Sequence, residues 1–309
     1  MIITVTLNPA VDKTVMIPDF SVDAVNRVQD MILDPGGKGI NVSKSVQALG
    51  GDTLCIGIVG GDSGRYICAA LDQIKIRHDM VLSDSPTRTN LKIVDLQNKT
   101  NTDINEAGAE VTQPVLDAVW NKLSTLAKPN DTVVIAGKNP PGTPPDLLAR
   151  WTKALRLRGI CVCLDTVEEP MQLALKEAPH VIKPNKEELC ELLGKNLRSD
   201  KEVLQGAREL IGLGVELVAV SMGAEGAMFV TKDTCIRTTT PKVTAISTVG
   251  AGDSMMAAIV HYRQQGLPLQ EVARRATAVA TATVQVPGSQ PAKPEQIEQI
   301  VNQIFFETL

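Results

Sequence analysis

Aromatic residues are scarce in this chain: two Trp, two Tyr and four Phe, 3% of 309 residues. With 43% hydrophobic content the core must be aliphatic, and the length fits one large α/β domain or two smaller ones. Blocks of Lys and Arg are missing and the net charge is -4, which argues against a nucleic-acid surface and leaves small anionic ligands to local groups. No apolar run is long enough to span a bilayer, and the Met1 end lacks a signal-peptide pattern. The six cysteines (Cys55, Cys68, Cys161, Cys163, Cys190, Cys235) have no zinc-ligand spacing and mostly lie inside apolar runs, so a reduced cytoplasm is the expected setting. Cys161 and Cys163 share one face of a predicted strand, where a core role outweighs a redox one.

What the chain does have is glycine clustered where helices begin. Ser247-Thr248-Val249-Gly250-Ala251-Gly252-Asp253-Ser254 follows a Val/Thr/Ile-rich run, 242–246, and opens a helical pattern near Ala251. Glycines at a helix entrance let the backbone turn tightly and leave amide N–H groups bare. A phosphate there meets free donors and the positive end of the helix dipole. Asp253, in the first turn, can take a proton from an incoming hydroxyl, so the stretch describes phosphoryl transfer onto an alcohol. Alone it is equally compatible with a plain helix cap.

A second glycine cluster tips that balance. Asp34-Pro35-Gly36-Gly37-Lys38-Gly39-Ile40-Asn41-Val42-Ser43 runs into a helical pattern at Val42, Val46 and Leu49. It matches neither the Walker A spacing nor the dinucleotide fingerprint. Upstream, the strand-like run 2–7 ends in Asn8-Pro9-Ala10-Val11-Asp12, a polar cluster where open α/β sheets put ligand groups. Asp12 is a candidate acceptor for sugar hydroxyls; the alternative is an ordinary turn residue. Stretches 13–33, 87–95 and 100–106 read as extended, the last two joined by a turn at 97–99. They predict a small separate sheet, a lid or a subunit contact, whose edges need cover.

The remainder alternates short strands (53–59, 132–136, 160–164, 180–182, 216–220) with helices (63–75, 113–126, 144–157, 186–193, 201–213, 251–265, 269–284). That order implies a mainly parallel sheet covered on both faces. No repeat or low-complexity linker appears, so a single α/β domain over 1–309 is expected, with lid strands at about 11–33 and 87–106 inserted in it. Lys183-Pro184-Asn185-Lys186-Glu187-Glu188 opens a helix. Asn185 and Glu188 are spaced to serve magnesium, directly or through water, yet on the residues alone a capping box is the stronger reading. Ser221-Met222-Gly223-Ala224-Glu225-Gly226 joins two strands, either to let a nucleotide pass the backbone or as a plain hairpin.

Taken as a set, these motifs, with Thr6-Leu7-Asn8-Pro9-Ala10-x-Asp12 and Thr87-Arg88-Thr89-Asn90, resemble the ribokinase-like sugar kinases, in particular their 1-phosphofructokinase and tagatose-6-phosphate kinase branch. The resemblance runs in order along nearly the whole chain. It implies a three-layer α/β/α core, a β lid that often builds a homodimer, and ATP with Mg²⁺. It implies Asp253 as catalytic base and the amides of Gly250, Ala251 and Gly252 as anion hole. Asp12, Gly37, Lys38, Asn41, Arg88 and Asn90 would face a sugar phosphate, joined by Arg27. Lys183, Asn185, Ser221, Gly223 and Gly226 would border the nucleotide, with Asn185 and Glu188 positioning magnesium.

Departures from the branch fall in two loops. Gly137-Lys138-Asn139-Pro140 replaces the usual Gly-Ser-Leu-Pro, adding a charge expected to meet the substrate's phosphate at Lys138. Asp165-Thr166-Val167-Glu168-Glu169 lacks the small residues usual after that Asp. The resemblance favours fructose 1-phosphate as acceptor, with tagatose 6-phosphate or fructose 6-phosphate next. Basic groups around the acceptor argue against a neutral sugar or nucleoside. The intact 250–253 run argues against a silent binding protein.

Overall fold

The computed structural model describes all residues, 1–309. Its first half contains β1 (Ile2–Thr6), β2 (Ala10–Ile17), β3 (Asp30–Gly36), α1 (Lys38–Ala48), β4 (Thr53–Val59), α2 (Gly61–Gln73), β5 (Val81–Leu82), β6 (Arg88–Asp95), β7 (Thr100–Asn105), α3 (Gln113–Leu126) and β8 (Thr132–Ala136). There follow α4 (Leu147–Arg156), β9 (Cys161–Asp165), α5 (Glu168–Leu175), β10 (Val181–Ile182), α6 (Lys186–Leu193), α7 (Asp200–Gly212) and β11 (Leu217–Ser221). The chain closes with β12 (Ala227–Val230), β13 (Cys235–Thr239), α8 (Ala251–Gln264), α9 (Leu269–Thr283), α10 (Pro294–Val301) and β14 (Phe305–Thr308).

The main sheet has ten strands in the order β14-β13-β12-β11-β10-β9-β8-β1-β4-β5. It is parallel from β11 to β5, and β12, β13 and β14 add antiparallel pairings at one edge. Alternate side chains of each strand feed opposite faces, as the pleat requires. Ile3, Val5, Val133 and Ile135 join a core of 36 buried residues shared with α3, α4, α6 and α7. Ile2, Val134 and Ala136 join one of 30 shared with α1, α8, α9 and α10. Burying both faces explains why these strands read as continuous apolar runs. No helix is long and apolar enough to cross a membrane.

β1 pairs with β4 on one side and β8 on the other, so the winding reverses there and a crevice opens beyond the strands' carboxyl ends. The glycine turns and polar loops of the sequence all emerge at that end. Over it lies the second sheet, four strands in the order β3-β2-β6-β7, at the predicted lid positions. Residues 242–246 form no strand; Ile246 and Ser247 donate their amides to the Val284 carbonyl instead. The structure also contains β5, β13, β14, α5 and α10, which are not among the elements expected from the sequence; α10 has a clear apolar stripe at Ile297, Ile300 and Val301 that could have found it.

Candidate active site

α1 and α8 lie against each other and carry the centre of the site. Asn41 and Ser45, one helical turn apart on α1, meet Asp253 and Ser254 on α8. Asn41 Nδ2 donates to Asp253 Oδ2 at 2.8 Å, and the Ser45 and Ser254 hydroxyls are 2.8 Å apart. Asp253 is 6% exposed, and the face it shows borders a polar cavity of 630 Å³. That cavity touches both glycine turns, at Gly37 and Lys38 on one side and Gly250 and Gly252 on the other.

Gly250 caps α8 in the left-handed region, φ 78°, with no side chain supplying the cap. The amide of Ala251 reaches the Thr248 carbonyl only at 3.5 Å, so the first-turn donors remain weakly used. Lys183 Nζ lies 3.1 Å from where a Cβ on Gly252 would stand, which puts an ammonium beside these amides. Together they are a preorganised arrangement able to receive an anion, the candidate anion site.

Charge around Asp253 is arranged through Asp165, which is 1% exposed at the end of β9. Lys38 Nζ donates to its Oδ1 at 2.8 Å, and Lys183 Nζ is 3.1 Å from Oδ2. Lys38 opens α1, where a cation opposes the helix dipole and needs a counter-charge. Burial alone would raise the Asp165 carboxyl, but Lys183 and Lys38 hold it below its ordinary value. Burial would likewise lower Lys38, yet Asp165 raises it well above its ordinary value. Asp253 is pushed upward, by burial first and by the Asp165 charge second, against Lys38, the Asn41 hydrogen bond and Lys183. A carboxylate raised above its ordinary value is a stronger base, which suits it to taking a proton from an alcohol.

That hydrogen bond yields a prediction with a definite sign. The Asn41 donor favours the ionised carboxylate, so Asn41→Ala raises the Asp253 pKa further. The acid limb of kcat/KM will move to higher pH. A pH profile of the variant checks this, and a limb that stays put or moves down removes Asn41 from that role.

The lid supplies the opposite wall. Asn90 Nδ2 donates to Asp12 Oδ1 at 2.9 Å, and Lys92 Nζ lies 3.3 Å from Asp12 Oδ2. Arg88 donates to the Asn8 and Glu106 carbonyls and to Asn90 Oδ1. Lys92, Asp103 and Asn105 also line the cavity and escaped the sequence reading. The signal was available: Arg88, Asn90 and Lys92 alternate on one strand, and β6–β7 register sets Asn105 opposite Asn90 and Asp103 opposite Lys92.

Arg27 is not brought to this cavity within the chain. It is exposed in the loop 18–29 joining the far ends of β2 and β3. At about 3.3 Å per residue, the run of β2 beyond Asp12 carries that loop roughly 17 Å away. Lys138 does reach the cavity rim, but its Nζ pairs with Glu168 Oε1 at 2.8 Å. The two loops that depart from the sugar kinase pattern are thus bound to each other. Glu168 adopts φ 60°, an uncommon conformation for a residue with a side chain.

Ser221, Gly223 and Gly226 border a second cavity, of 560 Å³, with apolar walls at Ala224, Val243, Ala245, Met255, Ala280 and Val284. Residues 242–246 therefore serve as a crevice wall. The link 221–226 is a short 3-10 turn between antiparallel β11 and β12, so the hairpin reading holds, and the same turn edges this cavity. Ser221 and Gly252 line both cavities, which makes the anion site their meeting point. Asn185 and Glu188 form a reciprocal capping box, Asn185 Oδ1 accepting from the Glu188 amide at 2.7 Å and Glu188 Oε2 from the Asn185 amide at 2.8 Å. Glu188 Oε1 stays outside it, 3.9 Å from Lys38 Nζ.

Comparison with known proteins agrees with this geometry. The pattern of the pfkB family of carbohydrate kinases matches residues 5–296. A 1-phosphofructokinase from Rhodobacter capsulatus is 37% identical, over 100% of this chain and 98% of that protein. The 1-phosphofructokinase of Vibrio cholerae is 32% identical, over 100% and 97%. The crystal structure of phosphofructokinase-2 from Escherichia coli in complex with potassium superposes with a TM-score of 0.94 at 27% identity, over 98% of each chain.

Proposed function

The chain belongs to the pfkB family of carbohydrate kinases, and from that footing we propose that it transfers the γ-phosphoryl group of ATP to fructose 1-phosphate, giving fructose 1,6-bisphosphate and ADP. The observation that carries this reading is Asp253, held by Asn41 at the junction of a cation-lined cavity and an anion site. The acceptor hydroxyl gives its proton to Asp253 while its oxygen attacks the γ-phosphorus in line. The bond to the ADP oxygen breaks, and the amides of Gly250, Ala251 and Gly252, with Lys183 and Lys38, offset the charge on the transferred group.

The apolar crevice suits an adenine, with Ser221, Gly223 and Gly226 along its edge. Asp12 and Asn90 would accept and donate to sugar hydroxyls, while Asn41 Oδ1, buried without a partner in the protein, offers one more acceptor. Magnesium fits the donors present. An ion that keeps its waters and leans on phosphates needs little more than one carboxylate, and Glu188 Oε1 supplies it, with Asn185 acting through water. Bound there, it neutralises phosphate charge. An ADP-coupled assay with fructose 1-phosphate, fructose 6-phosphate, tagatose 6-phosphate and fructose tests the reading. The highest kcat/KM is expected with fructose 1-phosphate, and no turnover of any phosphorylated ketose would overturn it.

Lys138 is read as a second contact for the acceptor's phosphate, released from Glu168 as substrate enters. Lys138→Ala should raise KM for phosphorylated ketoses about tenfold with little change in kcat, and Glu168→Gln should lower it. A KM unchanged for every phosphorylated sugar in Lys138→Ala would refute the contact.

The lid is read as the contact with a second copy. Its cavity face is polar, while the opposite face leaves Met31 (48%), Leu33 (39%) and Ile104 (53%) exposed. The six free cysteines suit a reducing compartment such as the cytoplasm.

A further inference from the structure

Lys44, on α1, has no part in this chemistry and is nonetheless enclosed, at 5% exposure. Its Nζ donates to the Pro35 carbonyl at 3.1 Å and to the Ser289 hydroxyl at 3.0 Å. Burial pushes the ammonium below the usual lysine range; Asp34, Asp12 and Asp253 draw it back up, and Lys92 adds to the depression. Enclosing an ammonium costs far more than enclosing a methionine of the same length, so packing alone does not account for the residue.

Its contacts span two parts of the site. Pro35 lies at the end of β3, next to Gly36 and Gly37 on the acceptor wall. Ser289 lies in the loop 284–293 between α9 and α10, and that loop supports the anion-site turn. The Gly288 carbonyl accepts from Ser247 Oγ at 3.1 Å, and Ser289 Cα is 3.7 Å from where a Cβ on Gly250 would stand. Asp34 of β3 faces the same loop, its Oδ2 2.8 Å from the Cβ position of Gly288.

We propose that Lys44 is a positioning residue whose ammonium ties lid strand β3 to the loop under Gly250, and so sets the spacing between the acceptor wall and the anion site. It touches no substrate and acts through Gly37 and Gly250. Without it each ligand still binds, but the alignment needed at the moment of transfer is less often met, so kcat falls more than KM rises. This rests on the kinase reading above and is independent of which sugar phosphate is the acceptor.

Lys44→Met keeps the stem and removes the charge; Ser289→Ala removes one acceptor and leaves the ammonium. The expected losses in kcat are about 30-fold and about fivefold, with KM for ATP and for the acceptor within about threefold of wild type. Hydrogen exchange gives a readout that needs no turnover: Lys44→Met should lose protection at 30–36 and 284–293 together while α9 keeps its own. Unchanged kcat in both variants, a rise in KM alone, or faster exchange throughout the molecule would each overturn the proposal. If Lys44→Met does not fold, Ser289→Ala decides through the same kcat comparison. If wild type turns over no sugar phosphate, the kinase reading fails by itself, and the exchange experiment still tests the tie.

Discussion

Asp253→Asn will lose about 10² to 10⁴ in kcat and keep its fold, with KM for the acceptor little changed. The expectation follows from what the substitution leaves in place. An asparagine can still accept from Asn41 Nδ2 with its own Oδ1, and the amides at Gly250 and Gly252 are untouched. Only the capacity to take a proton disappears. Stability should move the other way. Because burial raises the folded-state pKa of Asp253, its ionised form is disfavoured in the native protein. The wild type therefore loses stability as pH rises from the ordinary aspartate value through the raised one, and the asparagine variant does not. Thermal melts at pH 7.5 should put Asp253→Asn at or above wild type. Full activity in this variant would remove Asp253 from the base role, and a large fall in Tm would make it a structural residue.

Parts of this site that depend on one stretch of backbone were readable in the sequence. A glycine turn opening a helix announces itself locally, because bare amides and a positive φ at Gly250 require the glycine whatever the surroundings. The fold was readable for a related reason: strands buried on both faces leave short continuous apolar runs between turns, whereas amphipathic helices leave longer stretches with a 3.6-residue period. Residues whose role comes from partners far along the chain were not. Asp165 reads as the end of a strand, and its bond to Lys38 joins positions 127 apart. Lys138 and Glu168 stood out singly as departures, but only the packing of β8 beside β9 makes them a pair. Arg27 is the opposite case within the chain. It is close in sequence to the lid, but the length of β2 carries it from the cavity.

Asp165→Asn should have the largest effect on stability, because it leaves Lys183 buried against a neutral partner. Both groups are enclosed, at 1% and 4% exposure, and breaking a buried pair by removing one partner costs about 3–5 kcal/mol. The pH dependence has a fixed sign. Lys183 and Lys38 depress the folded-state pKa of Asp165 against its burial, so its contribution is present above the ordinary aspartate value and is lost as pH falls through the depressed one. The gap between wild type and variant in urea midpoint should thus be wide at pH 7.5 and narrow in acid. The same change acts on the base. The Asp165 charge raises Asp253, while Lys38 and Lys183 lower it. Neutralising Asp165 removes the repulsion and leaves both ammoniums facing Asp253, so its pKa falls. The acid limb of kcat/KM then moves to lower pH, opposite to the shift expected of Asn41→Ala, and the weaker base gives a lower plateau. Equal urea midpoints would deny Asp165 its part in stability. A limb that stays put would mean that the two carboxylates do not sense each other, one that moves upward would reverse the sign, and either would overturn the electrostatic account of the base.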